Sequence, residues 1–183
     1  MTTSELEQLK YPIGEFVKPD TITTSHIEHW INEIELFPER ITNLTKDLSP
    51  EELNWNYRPD GWNIKQVVHH CADSHINSII RFKLALTEDT PTIRPYFEDR
   101  WAKLIDCNYD DLSDTLNLLK GVHAKLGMLL RNISSEDLKR EFIHPEHNKH
   151  FSLEETIGVY AWHSNHHLAH VKQALAYKGA FNT

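Results

Sequence analysis

The chain has 183 residues, enough for one domain that buries roughly two thirds of its unfolded surface. Nineteen Lys and Arg against 27 Asp and Glu give a formal charge of −8 with no basic run to neutralise phosphates, which argues against a nucleic-acid partner. No apolar run approaches a membrane span, the first residues, Met1 to Glu7, lack the basic start and apolar stretch of a signal peptide, and Cys71 and Cys107 are too few for a disulfide framework, so a cytoplasmic protein is expected.

The first 22 residues, with Tyr11-Pro12-Ile13-Gly14, read as an extended strap on the surface. Ser25-His26-Ile27-Glu28 reads as a capping box, and Ile27, Trp30, Ile31, Ile34, Phe37, Ile41 and Leu44 follow at spacings of three and four, which predicts a first helix. Pro38 lies inside it, but the apolar phase continues across the proline, so a kink is expected rather than a stop. After Pro59-Asp60-Gly61, Asn63 with Gln66 can cap a second helix from Ile64 to Leu86. The connection from Glu88 to Asp110 is too long for a simple turn; its Arg94-Pro95-Tyr96 and Trp101 suit either the mouth of a pocket or packing over the bundle end. Leu112, Leu116, Leu119, Val122, Leu126, Leu129 and Ile133 predict a third helix over 111–133. Arg140 to Phe151 reads as a short hairpin around Pro145-Glu146-His147-Asn148, and Ser152-Leu153-Glu154-Glu155 opens a fourth helix that ends at Gly179. Four long amphipathic helices and only six glycines predict an all-α four-helix bundle, one domain over 1–183 with long inter-helix loops.

Four histidines fall between His163 and His170 on the fourth helix, and His69, His70 and His75 lie on the second. Imidazole is the commonest protein ligand for zinc-like ions, and two histidines four apart place their rings on one face a turn apart. Stepping about 100° per residue, His163 and His167 fall at the edge of the apolar stripe, while His166 and His170 project further toward solvent. On the second helix His69 points away from the core, His75 into it as a packing residue or outer partner, and His70 sits at the margin. Placement selects His70, His163 and His167 as candidate ligands of one divalent ion, the competing reading being chance clustering in a histidine-rich chain; a loop pair, His144 and His147, could make a separate site, although its spacing fits no helix.

Three neutral nitrogens leave a coordination position open, unlike closed structural sites, and so imply chemistry. Glu follows neither His163 nor His166, so the His-Glu-x-x-His pattern is absent and a general base must come from elsewhere. Asp73, Ser74, Asn77 and Arg81 share a polar flank with His70, where Arg81 could hold an anionic group or the four could be ordinary surface polar residues.

Tyr11-Pro12-Ile13-Gly14-Glu15, Gly61-Trp62 leading into Gln66-Val67-Val68-His69-His70, Ala72-Asp73-Ser74-His75, Ile93-Arg94-Pro95-Tyr96, His144-Pro145 and Trp162-His163-Ser164 with His166-His167 together resemble the DinB-like superfamily, and within it the YfiT type, over nearly the whole chain. The resemblance implies a four-helix bundle, a cytoplasmic homodimer, and one zinc-like ion on His70, His163 and His167; because three-histidine sites accept several ions, nickel, iron and manganese stand as alternatives to zinc. It implies a metal-dependent hydrolase acting on a small molecule, while superfamily relatives are thiol transferases that use bacillithiol, mycothiol or glutathione. In that alternative the ion activates a thiolate and Arg81 or Arg94 binds the thiol's carboxylates. A non-catalytic metal-binding bundle is the third reading.

Overall fold

A computed structural model describes residues 2–146 and 148–182 of the chain. Its elements are α1 (Thr3–Lys10), α2 (Thr24–Thr45), α3 (Pro50–Leu53), α4 (Ile64–Thr87), α5 (Glu98–Trp101), α6 (Ser113–Arg131), β1 (Glu141–His144), β2 (Lys149–Ser152) and α7 (Leu153–Tyr177). α2 and α4 each pack against both α6 and α7, so the four long helices form a bundle ordered α2, α6, α4, α7 around its axis. No described helix is long and apolar enough to cross a membrane.

Local chemistry sets the helix ends. Asn63 Oδ1 accepts from Gln66 N at 3.0 Å and Gln66 Oε1 accepts from Asn63 N at 3.2 Å, which starts α4 where the sequence predicts it. α2 begins earlier than expected, because the box is built by Thr23 and His26: the threonine hydroxyl accepts from His26 N, and the imidazole Nδ1 replaces the usual carboxylate on Thr23 N. The helix runs unbroken through the buried Pro38. At the far end of α7, Lys178 and Gly179 both take positive φ, and a Cβ on Gly179 would lie 2.8 Å from Trp55 Cδ1, so glycine there answers both conformation and space.

The amino-terminal segment differs from the expected extended strap over its first part. Thr3–Lys10 is helical, because Thr2 and Glu5 form a capping box. From Tyr11 to Ile22 there is no helix or strand, and this stretch does strap α7: Trp162 Nε1 donates to Gly14 O at 3.0 Å, and Lys18 Nζ pairs with Glu155 at 3.0 Å.

The expected hairpin is present, with Phe142 opposite Phe151 in an antiparallel ladder. Ile93 and Pro91, in the long loop after α4, pair with Ile143 of β1, so loop and hairpin form one cover at a side of the bundle.

The apolar core falls into two halves. One gathers Phe37, Ile41, Val67, Val68, Leu119 and Val171; the other gathers Ile34, Phe82, Leu126, Leu153 and Ile157. On α4, α6 and α7 the boundary between the halves comes at a histidine, His75, His123 and His163 respectively. Each fully buried aliphatic or aromatic side chain contributes about 1.5–3 kcal/mol of transfer free energy, and the rings of the polar layer between the halves are hydrogen-bonded to one another, which lowers the cost of burying them.

Candidate metal centre

The layer of imidazoles opens on one side into a cavity of about 630 Å³. His70 from α4 and His163 and His167 from α7 line it, and one ligand nitrogen from each lies within 4.8 Å of the other two. His70 Nε2 and His163 Nε2 are 3.3 Å apart. A tetrahedral site with nitrogens about 2.0–2.1 Å from its centre has edges of about 3.3–3.4 Å, so this pair already has the separation of two ligands of one zinc-like ion.

Electrostatics favours the neutral rings that such an ion requires. Burial, reinforced by the neighbouring imidazoles, holds His163 and His167 well below the ordinary histidine range, and burial, with His166, pushes His70 down to about 4. No carboxylate is hydrogen-bonded to any of the three among the described residues. Three neutral, converging nitrogen donors therefore fit a divalent ion of borderline softness.

Around this floor the cavity is walled by apolar and aromatic groups, among them Tyr11, Trp62, Phe142 and Phe151. Trp62 packs on His70 at 4.6 Å between ring centroids. Polar groups converge from one flank: Arg81 Nη1 donates to Tyr160 Oη at 3.2 Å, Tyr160 Oη lies 3.5 Å from Ser74 O, and Arg81 Nε is buried without a hydrogen-bond partner among the described residues. Tyr96 also lines the cavity, and burial raises its phenol above the usual range.

Of the residues singled out in the sequence, the structure brings His70, His163, His167 and Arg81 to this cavity. Arg94 is exposed and outside its wall, although its neighbours Pro95 and Tyr96 are part of it. On the polar flank of α4, Ser74 lines the cavity, whereas Asp73 accepts from Cys107 Sγ at 3.7 Å and Asn77 bonds back to Asp73 O. Burial, then the charge of Asp106, pushes the Asp73 carboxyl up to about 6.

Three histidines depart from expectation. His166 and His170 are buried, not turned to solvent, because the end of α1 and the start of the strap cover that face of α7: Tyr11 packs near His166, and His170 Nε2 meets Lys10 O at 3.0 Å. His69 is also buried, held under the long loop by Thr115 Oγ1 at 2.8 Å and Tyr109 O at 3.1 Å. His144 lines the cavity, while His147, the other member of the alternative loop pair, lies outside the described residues. Sequence reasoning missed Tyr160, which precedes His163 by three residues and so shares its face, and Trp62, whose place over His70 depends on the turn before α4.

Comparison with known proteins agrees with this architecture. The family model described as the DinB superfamily matches residues 33–171. A protein of Oceanobacillus iheyensis, provisionally named a metal-dependent hydrolase, is 48% identical over 162 residues, covering 88% of this chain and 93% of its own. YfiT of Bacillus subtilis, with the same provisional name, is 42% identical over 165 residues, 90% of this chain and 93% of its own. A Bacillus cereus relative, again so named, is 46% identical over 166 residues, 91% of this chain and 95% of its own. The solved structure of YfiT, described as having an unusual four-helix bundle topology, superposes with a TM-score of 0.91 at 41% identity, over 94% of this chain and 98% of that one. With the match spanning most of its length, from within α2 to within α7, the chain belongs to the DinB superfamily.

Proposed function

We propose that this protein is a metal-dependent hydrolase of small molecules, and that His70, His163 and His167 hold one divalent ion, zinc in the first instance. The observation that carries the reading is the convergence of three neutral imidazole nitrogens at the floor of an open cavity. When bound, such an ion supplies a Lewis acid and a water of lowered pKa at its vacant position.

The chain's own residues do the rest. The aromatic wall excludes bulk water and takes the apolar part of a substrate. Arg81, oriented by Tyr160 and with its Nε unpartnered among the described residues, offers a charge-assisted contact to an anionic or strongly polar substrate group. Arg94, outside the wall, would act only at the mouth. The reading extends to a single domain over 1–183 and to a cytoplasmic homodimer, the latter testable by sedimentation.

The experiment is a comparison of the zinc-loaded protein on activated esters and amides with its action on an electrophile such as monochlorobimane, with and without low-molecular-weight thiols. Thiol-independent cleavage that disappears on chelation is expected. Conjugation that requires a thiol would replace hydrolysis by thiol transfer, and neither reaction would leave a metal-binding bundle.

A further inference from the structure

Behind the three cavity histidines stand three more whose hydrogen bonds have a direction. His123 Nδ1 lies 2.6 Å from the carbonyl oxygen of Ile34, which can only accept, so His123 carries its proton on Nδ1. Its other nitrogen then accepts from His75 Nδ1 at 2.7 Å, which leaves His75 Nε2 as an acceptor for His163 Nδ1 at 3.1 Å. Followed to its end, this chain puts the His163 proton on Nδ1 and the lone pair on Nε2, facing His70. A second chain does the same for His167. Lys10 O can only accept, so His170 donates from Nε2 at 3.0 Å and accepts at Nδ1 from His167 Nδ1 at 3.3 Å.

The alternation requires neutral rings. His75, His123 and His170 are no more than 2% exposed, and among the described residues none has a carboxylate as a hydrogen-bond partner. Burial pushes His123 down to about 4 and, with His166, His170 to about 3.

We propose that His75 with His123, and separately His170, are positioning residues that preset His163 and His167 as Nδ1–H tautomers, with the carbonyls of Ile34 and Lys10 fixing the sense of each relay. Two ligands thereby present bare Nε2 atoms before any ion arrives, which removes a tautomerisation step from binding. His70 differs: among the described residues it makes no hydrogen bond through Nδ1, so in the metal-free protein its Nε2–H can donate to the bare His163 Nε2, and it must change tautomer when an ion displaces that proton. The end of α1, through Lys10, thus takes part in ordering a ligand 157 positions away in sequence, counted from 10 to 167.

This rests on the metal-centre reading, but its first test does not involve the metal. Long-range proton–nitrogen correlation spectra of the metal-free protein, labelled with ¹⁵N-histidine, report the tautomer of each ring. His163 and His167 are expected as Nδ1–H, the minor form of a free histidine side chain. Finding either as Nε2–H would overturn the proposal; finding both as Nδ1–H in a protein that fails to bind zinc would leave the relays standing and sink the metal reading instead.

Variants then test the coupling. His123→Leu, which touches no proposed ligand, is expected to shift His163 toward Nε2–H and to weaken zinc affinity about ten- to hundredfold, with His167 unchanged. His123→Gln, whose amide oxygen can accept from His75, should restore both. His170→Phe, which keeps the stack on Tyr57, should disturb His167 alone. Weakened affinity in His123→Leu with an unchanged His163 tautomer would show a packing effect and overturn the proposal.

Discussion

Metal-linked stability offers a sharp quantitative test. A ligand that binds only the folded state stabilises it by RT ln(1 + [L]/Kd), about 2.7 kcal/mol at a hundredfold excess over Kd. For 183 residues at about 2.1 cal/mol/K each, the unfolding entropy is about 0.38 kcal/mol/K, so this stabilisation raises Tm by about 7 °C. His163→Ala removes one of three ligands and leaves His75 Nε2 without its donor. The lost hydrogen bond costs the metal-free protein about 1–3 kcal/mol, or roughly 3–8 °C by the same entropy. The decisive quantity is therefore the zinc-induced rise in each protein, measured by calorimetry with and without a chelator. About 7 °C is expected for the wild type and close to zero for His163→Ala at the same zinc concentration. An equal rise in both would refute the assignment of His163 as a ligand, whatever the variant's own stability.

Other outcomes follow from particular contacts. Asp73→Asn separates a titration from packing: the folded carboxyl, at about 6, lies above its unfolded value, so its stabilising protonation is fully present below about pH 4 and lost as pH rises through about 6. The Tm of the wild type relative to the variant should therefore fall over that window, and a flat difference would show that its surroundings do not raise the Asp73 carboxyl. Gly179→Ala should cost about 1–2 kcal/mol, from the positive φ and the close approach to Trp55, read by urea denaturation; a neutral substitution would contradict the cap geometry. Phe82→Ala, at a fully buried position in the second core half, should cost about 3–5 kcal/mol by the same method.

Much of the bundle was legible in the sequence because its signals are local. Asn63 with Gln66 and the spacing of Ile64, Val67, Cys71, His75 and Phe82 locate α4 without reference to any other element, and the same holds for Ser152 and α7. The convergence of His70, His163 and His167 was legible because His163 and His167 share one helical face and His70 sits at the edge of another. What failed was the environment of the remaining histidines. A helical wheel of α7 assigns the face of His166 and His170 to solvent, but that face is covered by Lys10 and Tyr11, and no periodicity within α7 records a contact more than 150 residues away. Likewise the role of His123 depends on α2, α4 and α6 meeting at one level of the core. The start of α1 was a missed local signal, since Thr2 and Glu5 are spaced as a capping box.

The central claim concerns which atoms surround the ion, and X-ray absorption at the zinc edge of the reconstituted protein reads them directly. The account predicts one zinc per chain with three imidazole nitrogens at about 2.0–2.1 Å and a remaining light-atom position that exchanges with solvent. Sulfur at about 2.3 Å, from Cys71 or Cys107, or fewer than three imidazoles at full occupancy, would contradict it.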